Sequence, residues 1–429
     1  MASRPQLLAT ATDPPDGAPT QRSRFAAGLI TGASDADPSG IGTYAQAGAQ
    51  FGMAMLWPMG LTYPLMVAVQ SICARVARVT GRGLAANLAR VLPRWLLWPL
   101  LLAFFLTNAV TIGADLMIMG EAATLLLPGR AEAWAVGMGA VSVALQVAVP
   151  YSRYVRYLKW LTLSVLAYVA AAFTVNVPWD EVLRRTLVPQ VQFSREYAQM
   201  LVAVLGTTIC PYLFFWQSAQ EVEEQRAAPD ERPIRAAPQQ ARRQFSRSAL
   251  DTGVGMAISN GIGWFIVLTT ALTLHASGIR DIDTAAQAAQ ALQPLAGPGA
   301  FALFAAGIIG TGLLAIPVLA GSAAYALAEG LGWRRGLERR FRAARGFYLV
   351  MLLAVALGVA MTLLQVNPMR ALVLTSIISG VVSVPLLVAL MWTARSKQLL
   401  GGFTVGRGLQ ALGWFTTALL AVAAVSLAL

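Results

Sequence analysis

Apolar stretches close to the length of a bilayer crossing recur along almost the whole chain, and no other feature narrows its possible folds as much. Eleven can be marked, near 24–47, 53–76, 96–127, 132–150, 155–176, 197–224, 248–275, 299–329, 345–365, 368–394 and 409–428. A helix needs about 20 predominantly apolar residues to cross the hydrocarbon core. Lipid offers a backbone amide no water partner, so only helices or a closed barrel can cross it. These stretches are continuous runs, not ten-residue alternations, which selects helices. Only 12% of the residues are charged, whereas a soluble chain carries about a quarter, so no large soluble domain is expected. The fold class read from the sequence is all-α, a polytopic membrane protein with about eleven transmembrane helices.

Charge tests both the number of spans and their orientation, because cytoplasmic loops hold the excess of Lys and Arg. With the N-terminus inside, 26 of the 32 basic residues fall on the inner side, leaving only Arg130, Arg184, Arg185, Arg195, Arg280 and Arg370 outside. One helix too many or too few would scramble that division. The net charge of +12 is therefore a topology signal. It does not mark a nucleic-acid partner, since the Arg-rich connector between the sixth and seventh spans is short and no folded basic domain exists. Residues 1–23 are polar, lack the apolar core of a signal peptide, and predict a disordered cytoplasmic tail. These features place the chain as an integral protein of a bacterial-type plasma membrane. Cys73 and Cys210 lie inside apolar stretches and cannot form a disulfide framework, and a single histidine, His275, argues against a His-based zinc site. The sequence implies no resident cofactor and does not set the oligomeric state.

The first span is interrupted. Its middle reads TGASDADPSGIGTYAQAG, with Asp35 and Asp37 at membrane depth ahead of Pro38, Ser39, Gly40 and Gly42. Proline lacks an N–H and disfavours helix at the residue before it, so the helix is expected to unwind around Asp37 to Gly40. The sixth span repeats the event, with Thr207, Thr208, Cys210, Pro211 and Tyr212 in its middle. A proline kink would explain either interruption alone. Together they fall in corresponding positions of two five-helix halves, 24–176 and 197–394, with 409–428 as an addition. That pairing points to an inverted-repeat transporter whose site lies between two discontinuous helices at the bilayer midplane.

The chemistry follows from the residues. A carboxylate from Asp37 and unwound carbonyls from both interruptions, Thr207 to Cys210 included, make an oxygen-rich hole suited to a hard cation such as Mg²⁺ or Mn²⁺. The Cys210 thiol adds a soft option if it faces the hole, and is otherwise a small buried apolar group. Asp115, deep in the third span, either lines a pathway or carries a proton, or it makes a buried bond to a neighbouring helix. Gln217 follows the second interruption and could line the pathway. Glu221, Glu223 and Glu224 read as a solvated cytoplasmic mouth, Asp251 as a helix cap, and Asn260 and Gln365 as bonds between helices. His275 reads as a wet residue at the outer end of the seventh span.

These residues resemble the NRAMP (natural resistance-associated macrophage protein) family of divalent-metal transporters. Asp37, Pro38, Ser39 and Gly40 stand where that family has Asp-Pro-Gly-Asn, and Cys210, Pro211 and Tyr212 where it has Met-Pro-His. The tenth span, TSIISGVVSVPLLVALMWTARSKQLLG, is also similar. The resemblance implies a leucine-transporter-type fold of two inverted five-helix repeats, alternating access, and a metal site at Asp37, Gly40, Thr207 and Cys210. Asp35, Asp115, Tyr212 and Gln217 are the candidates for pathway or coupling. Gly40 offers no side chain, Cys210 keeps the sulfur with a shorter reach, and Tyr212 stands where the family's proton-linked histidine would be. The ninth span carries no buried Arg or acid. The pattern is similar to NRAMP-related branches, one of which carries Mg²⁺ without evident proton coupling.

The reading is thus a transporter, not an enzyme, for a divalent cation of the Mn²⁺/Mg²⁺ class. A same-fold symporter of an amino acid or other small solute is one rival. An intramembrane enzyme using paired aspartates, Asp35 with Asp37 or Asp37 with Asp115, is the other.

Overall fold

A computed structural model describes residues 31–32, 35–149, 163–337, 339, 341–364 and 366–427. The expected tail, the start of the first span, residues 150–162 of the fifth-span region and Gln365 lie outside the described residues. Among the described residues there are no strands. Among those residues, nine helical stretches are long and apolar enough to cross a membrane. The first of them, Pro38–Thr80, holds two of the expected spans, so only the fifth, described from residue 163 onward, lacks a counterpart.

The long helices, numbered in chain order, are α1 (Pro38–Phe51), α2 (Leu56–Thr80), α3 (Arg94–Thr124), α4 (Ala131–Ala148), α5 (Arg195–Thr208) and α6 (Pro211–Ala227). They continue with α7 (Ala241–Thr270), α8 (Ala300–Leu331), α9 (Arg345–Met361), α10 (Pro368–Arg395) and α11 (Arg407–Val425). The chain reverses between α1 and α2, because Tyr44 and Met59 both lie against Gly263 of α7. Gly52, at φ 58°, adopts the left-handed conformation that this reversal needs and that a side chain would resist.

Six prolines distinguish a kink from a break. Pro64, Pro99, Pro317 and Pro385 lie inside continuous helices. Pro38 and Pro211 instead open new ones, each preceded by an extended residue: Asp37 at φ −81°, ψ 167° and Cys210 at φ −81°, ψ 140°. Proline's ring forces that extended shape on its predecessor, and its fixed φ suits the first helical position. The first break is therefore shorter than expected. Among the described residues here only Ala36 and Asp37 are unwound, and Ser39 and Gly40 already belong to the first turn of α1.

Small residues set how closely the helices cross around the breaks. A Cβ on Gly206 of α5 would run into the Ser376 carbonyl and Gly380 of α10, one on Gly48 of α1 into Val267 and Thr270 of α7, and one on Gly32 into Gly255. Without a hydrophobic drive between helices in lipid, such close backbone approach is what holds them together. Asn260 adds a polar tie, donating to the Met59 carbonyl at 2.8 Å and accepting from Thr62 at 3.0 Å. The outward faces keep large apolar side chains exposed, Leu102, Leu349, Leu353 and Val422 among them, as a lipid-facing surface requires.

Candidate functional site

The two breaks meet. Asp37 is 2% exposed, and Tyr212, the second residue of α6, donates its hydroxyl to Asp37 Oδ2 at 3.2 Å. The other oxygen, Oδ1, accepts from the Gly40 amide at 2.6 Å and from Ser39 Oγ at 2.9 Å, capping α1. Asp35 turns the opposite way, accepting from Ser259 of α7 and lying 3.7 Å from Cys210 Sγ. Thr208, at the end of α5, bonds the Tyr44 hydroxyl of α1 at 3.0 Å. Interruptions about 175 residues apart in sequence are thus tied into one buried constellation.

Oxygens crowd against the side of Gly40 where a side chain would begin. A Cβ there would sit 3.1 Å from Asp37 Oδ1, 3.4 Å from Thr207 Oγ1 and 3.6 Å from the Asp35 carbonyl. Pro211 has no N–H to return to the carbonyl four residues earlier, that of Thr207, so the α5 terminus keeps an acceptor there. Carboxylate, hydroxyl and carbonyl oxygens are the ligands that hard divalent cations take. Among the described residues, no three His, Cys, Asp or Glu side chains converge into a closed metal cage. The donor set is one carboxylate surrounded by neutral oxygens.

Magnitudes show that capping does not account for Asp37. A helix N-cap is worth about 0.5–2 kcal/mol, and Asn or Ser serves as well as Asp. Removing a carboxylate from water costs several kcal/mol. The helix dipole returns at most about 2 kcal/mol of that. A neutral cap would hold α1 equally well at lower cost, so the charge answers to something other than stability.

Asp115 of α3 is fully buried, and among the described residues no hydrogen bond reaches either of its oxygens. It lies near Asp37 and the Ser39 amide at the first turn of α1, and so faces the same constellation from the side of α3.

Gln217 lies a turn and a half along α6 from the second break, where it donates to Glu221 at 2.9 Å and Thr252 at 3.4 Å. Other sequence expectations are corrected. Glu221 is not solvated; it is 1% exposed and paired with Arg78. Glu223 accepts from Tyr325, and Glu224 pairs with Arg78 and Arg247. Asp251 caps nothing, since α7 begins ten residues earlier, at Ala241. His275 is half-buried and bonds the Ala49 carbonyl at 2.7 Å. Sequence reasoning missed Ser259 and Arg78. Ser259 lies in a run of small residues that reads only as packing, and Arg78 looks like one more cytoplasmic cation.

With the geometry in hand, comparison with known proteins is informative. The sequence model of the natural resistance-associated macrophage protein-like family matches residues 28–429. A divalent metal cation transporter, MntH, of Acidiphilium cryptum is 27% identical over 386 residues, covering 88% of this chain and 83% of its own. The crystal structure of an Eremococcus coleocola manganese transporter, in complex with an aromatic bis-isothiourea compound, superposes with a TM-score of 0.71 at 16% identity. It covers 97% of this chain and 90% of that one. A nucleobase-cation-symport-1 family transporter in a closed conformation gives a TM-score of 0.57 at 12% identity, over 94% of this chain and 91% of that one. The fold is common to all three.

Proposed function

The chain belongs to the natural resistance-associated macrophage protein-like family, and on that premise we propose that it carries a divalent metal cation across the membrane through the meeting point of the two breaks. The observation that supports this most is the Asp37 carboxylate, which is buried and unnecessary as a cap. It lies close to the Thr207 hydroxyl and the Asp35 carbonyl around Gly40. Such oxygens suit Mn²⁺ and Mg²⁺ alike, and Cys210, turned toward Asp35, leaves the soft contribution small. The residues assigned to the cation are Asp37, Gly40, Thr207 and Cys210. Asp35, Asp115, Tyr212 and Gln217 border the pathway. Segments 24–176 and 197–394 act as the two repeats whose rocking gives access from each side, with 409–428 as an added helix. The distribution of basic residues supports a cytoplasmic N-terminus, and the proposed setting is a bacterial-type plasma membrane.

The relatives' names favour metal transport over an organic solute, and a fixed carboxylate disfavours an anionic one. The Asp35–Asp37 form of the paired-aspartate enzyme is disfavoured by the different partners of the two groups, since Asp35 bonds Ser259 while Asp37 bonds Tyr212. Asp35→Asn and Asp37→Asn separate the readings in a metal-uptake assay on reconstituted protein. Retained uptake in the first and loss in the second is the expected pair of results. Equal loss in both would remove the one-carboxylate site in favour of a dyad.

A further inference from the structure

Away from the breaks, the most heavily charged buried position in the described molecule lies near the far end of α2. Arg78 is 1% exposed and meets three carboxylates: Glu221 through Nε, Glu224 at 2.9 Å and Glu231 at 2.9 Å. Glu221 and Glu224 belong to α6, the half-helix that begins at Pro211, and Glu231 belongs to the connector between α6 and α7. From α7, Arg247 pairs with the second Glu224 oxygen, and Ser248 donates to Glu221 at 2.6 Å. The connector is laid against α2 by main-chain bonds, Ile234 N–H to the Arg78 carbonyl at 3.0 Å and Arg235 N–H to the Val79 carbonyl at 3.2 Å. Gln225 of α6 donates to the Arg78 carbonyl at 3.1 Å. One end of α6 therefore borders the proposed cation position, and the other is held to α2, α7 and the connector by charge.

A seam of buried ion pairs is a poor way to add stability, because desolvation nearly cancels the attraction and well-packed apolar residues do as well or better. It has a different property. An apolar seam cannot open without exposing hydrocarbon to water, whereas separated charges are rehydrated when water enters. Around the breaks themselves the bonds are neutral, Thr43 with Ser376 at 2.8 Å and Tyr44 with Thr208 at 3.0 Å.

We propose that Arg78 is the lock of the cytoplasmic gate: its pairing with Glu221 and Glu224 holds α6 against α2, and release of that pairing opens the route from the breaks to the cytoplasm. This rests on the transport reading and on the N-terminus-inside orientation. It makes Arg78 a positioning residue that acts on the cation through α6.

The chain has two cysteines, both buried, and Cys210 lies at the break itself. In a Cys73→Ala background Cys210 is the sole thiol, so its reaction with a charged, membrane-impermeant thiol reagent reports when water reaches the site. The reagent is applied separately to each face of oriented vesicles holding the full chain, with no metal present. Arg78→Gln is expected to speed labelling by about tenfold or more from the face that carries the α6–α7 connector, a shift in the open population of that order. Arg78→Lys, which keeps the charge, should fall between Arg78→Gln and the parent. Glu224→Gln removes one of the two α6 carboxylates while leaving Arg78 paired with Glu221, and should raise the rate in the same direction if Arg78→Gln fails to fold. Unchanged labelling from that face in a monodisperse variant overturns the proposal. If the connector face proves to be extracellular, the lock stands and the orientation falls. Because the readout needs no metal, failure of metal transport would show separately, as a parent protein that labels as expected but moves no cation.

Discussion

Mn²⁺ binding to the purified protein is expected to weaken by about 100-fold or more when Asp37 is replaced by alanine, the equivalent of roughly 2.7 kcal/mol. The carboxylate supplies formal charge beside Gly40, and the Thr207 hydroxyl and Asp35 carbonyl near it are neutral. A hard divalent cation is held chiefly by charged oxygen, so the neutral donors alone should bind it weakly. Stability should not follow affinity. Asp37→Asn keeps a capping side chain for α1 and removes a buried charge, so the metal-free protein should melt no lower than the parent. Calorimetric titration with Mn²⁺, set beside thermal unfolding, checks both halves. Undiminished affinity in Asp37→Ala would move the site elsewhere.

Gly206→Leu is expected to abolish correct assembly. Even a single methyl at this position would collide with the Ser376 carbonyl and the Gly380 backbone, and neither can move aside as a side-chain tip could. Overpacking of this kind costs about 1–3 kcal/mol when side chains can adjust, and backbone contacts leave less room for adjustment. The crossing of α5 and α10 is also what presents Thr207 and Thr208 to α1. Size-exclusion chromatography in detergent should show aggregated protein for Gly206→Leu and a reduced monodisperse fraction for Gly206→Ala. A normal profile for the leucine variant would mean that the two helices cross less closely than described.

The architecture was legible because membrane helices announce themselves by length and by loop charge, and the breaks because proline removes a defined amide and bends its predecessor. Asp37 could be singled out on the cost of burying it alone. What could not be read is direction. Asp35 and Asp37 are two residues apart and look equivalent in sequence, yet one turns to Ser259 and the other to Gly40 and Tyr212. The first break looked longer than it is because Ser39 and Gly40 are weak helix formers in isolation, and capping by Asp37 overrides that preference. The acidic end of α6 looked solvated because its partner, Arg78, lies 143 residues away from Glu221 along the chain. Pairings at that separation leave no local pattern.

The central claim is tested most directly by Mn²⁺ flux into proteoliposomes, followed by quenching of a trapped dye, with excess external Mg²⁺ as competitor. The account predicts protein-dependent quenching that Mg²⁺ suppresses, because a site of one carboxylate among neutral oxygens cannot strongly prefer one hard divalent ion over the other. Vesicles that hold folded protein and show no quenching would contradict it for Mn²⁺, and an equally silent Mg²⁺ indicator would contradict it altogether.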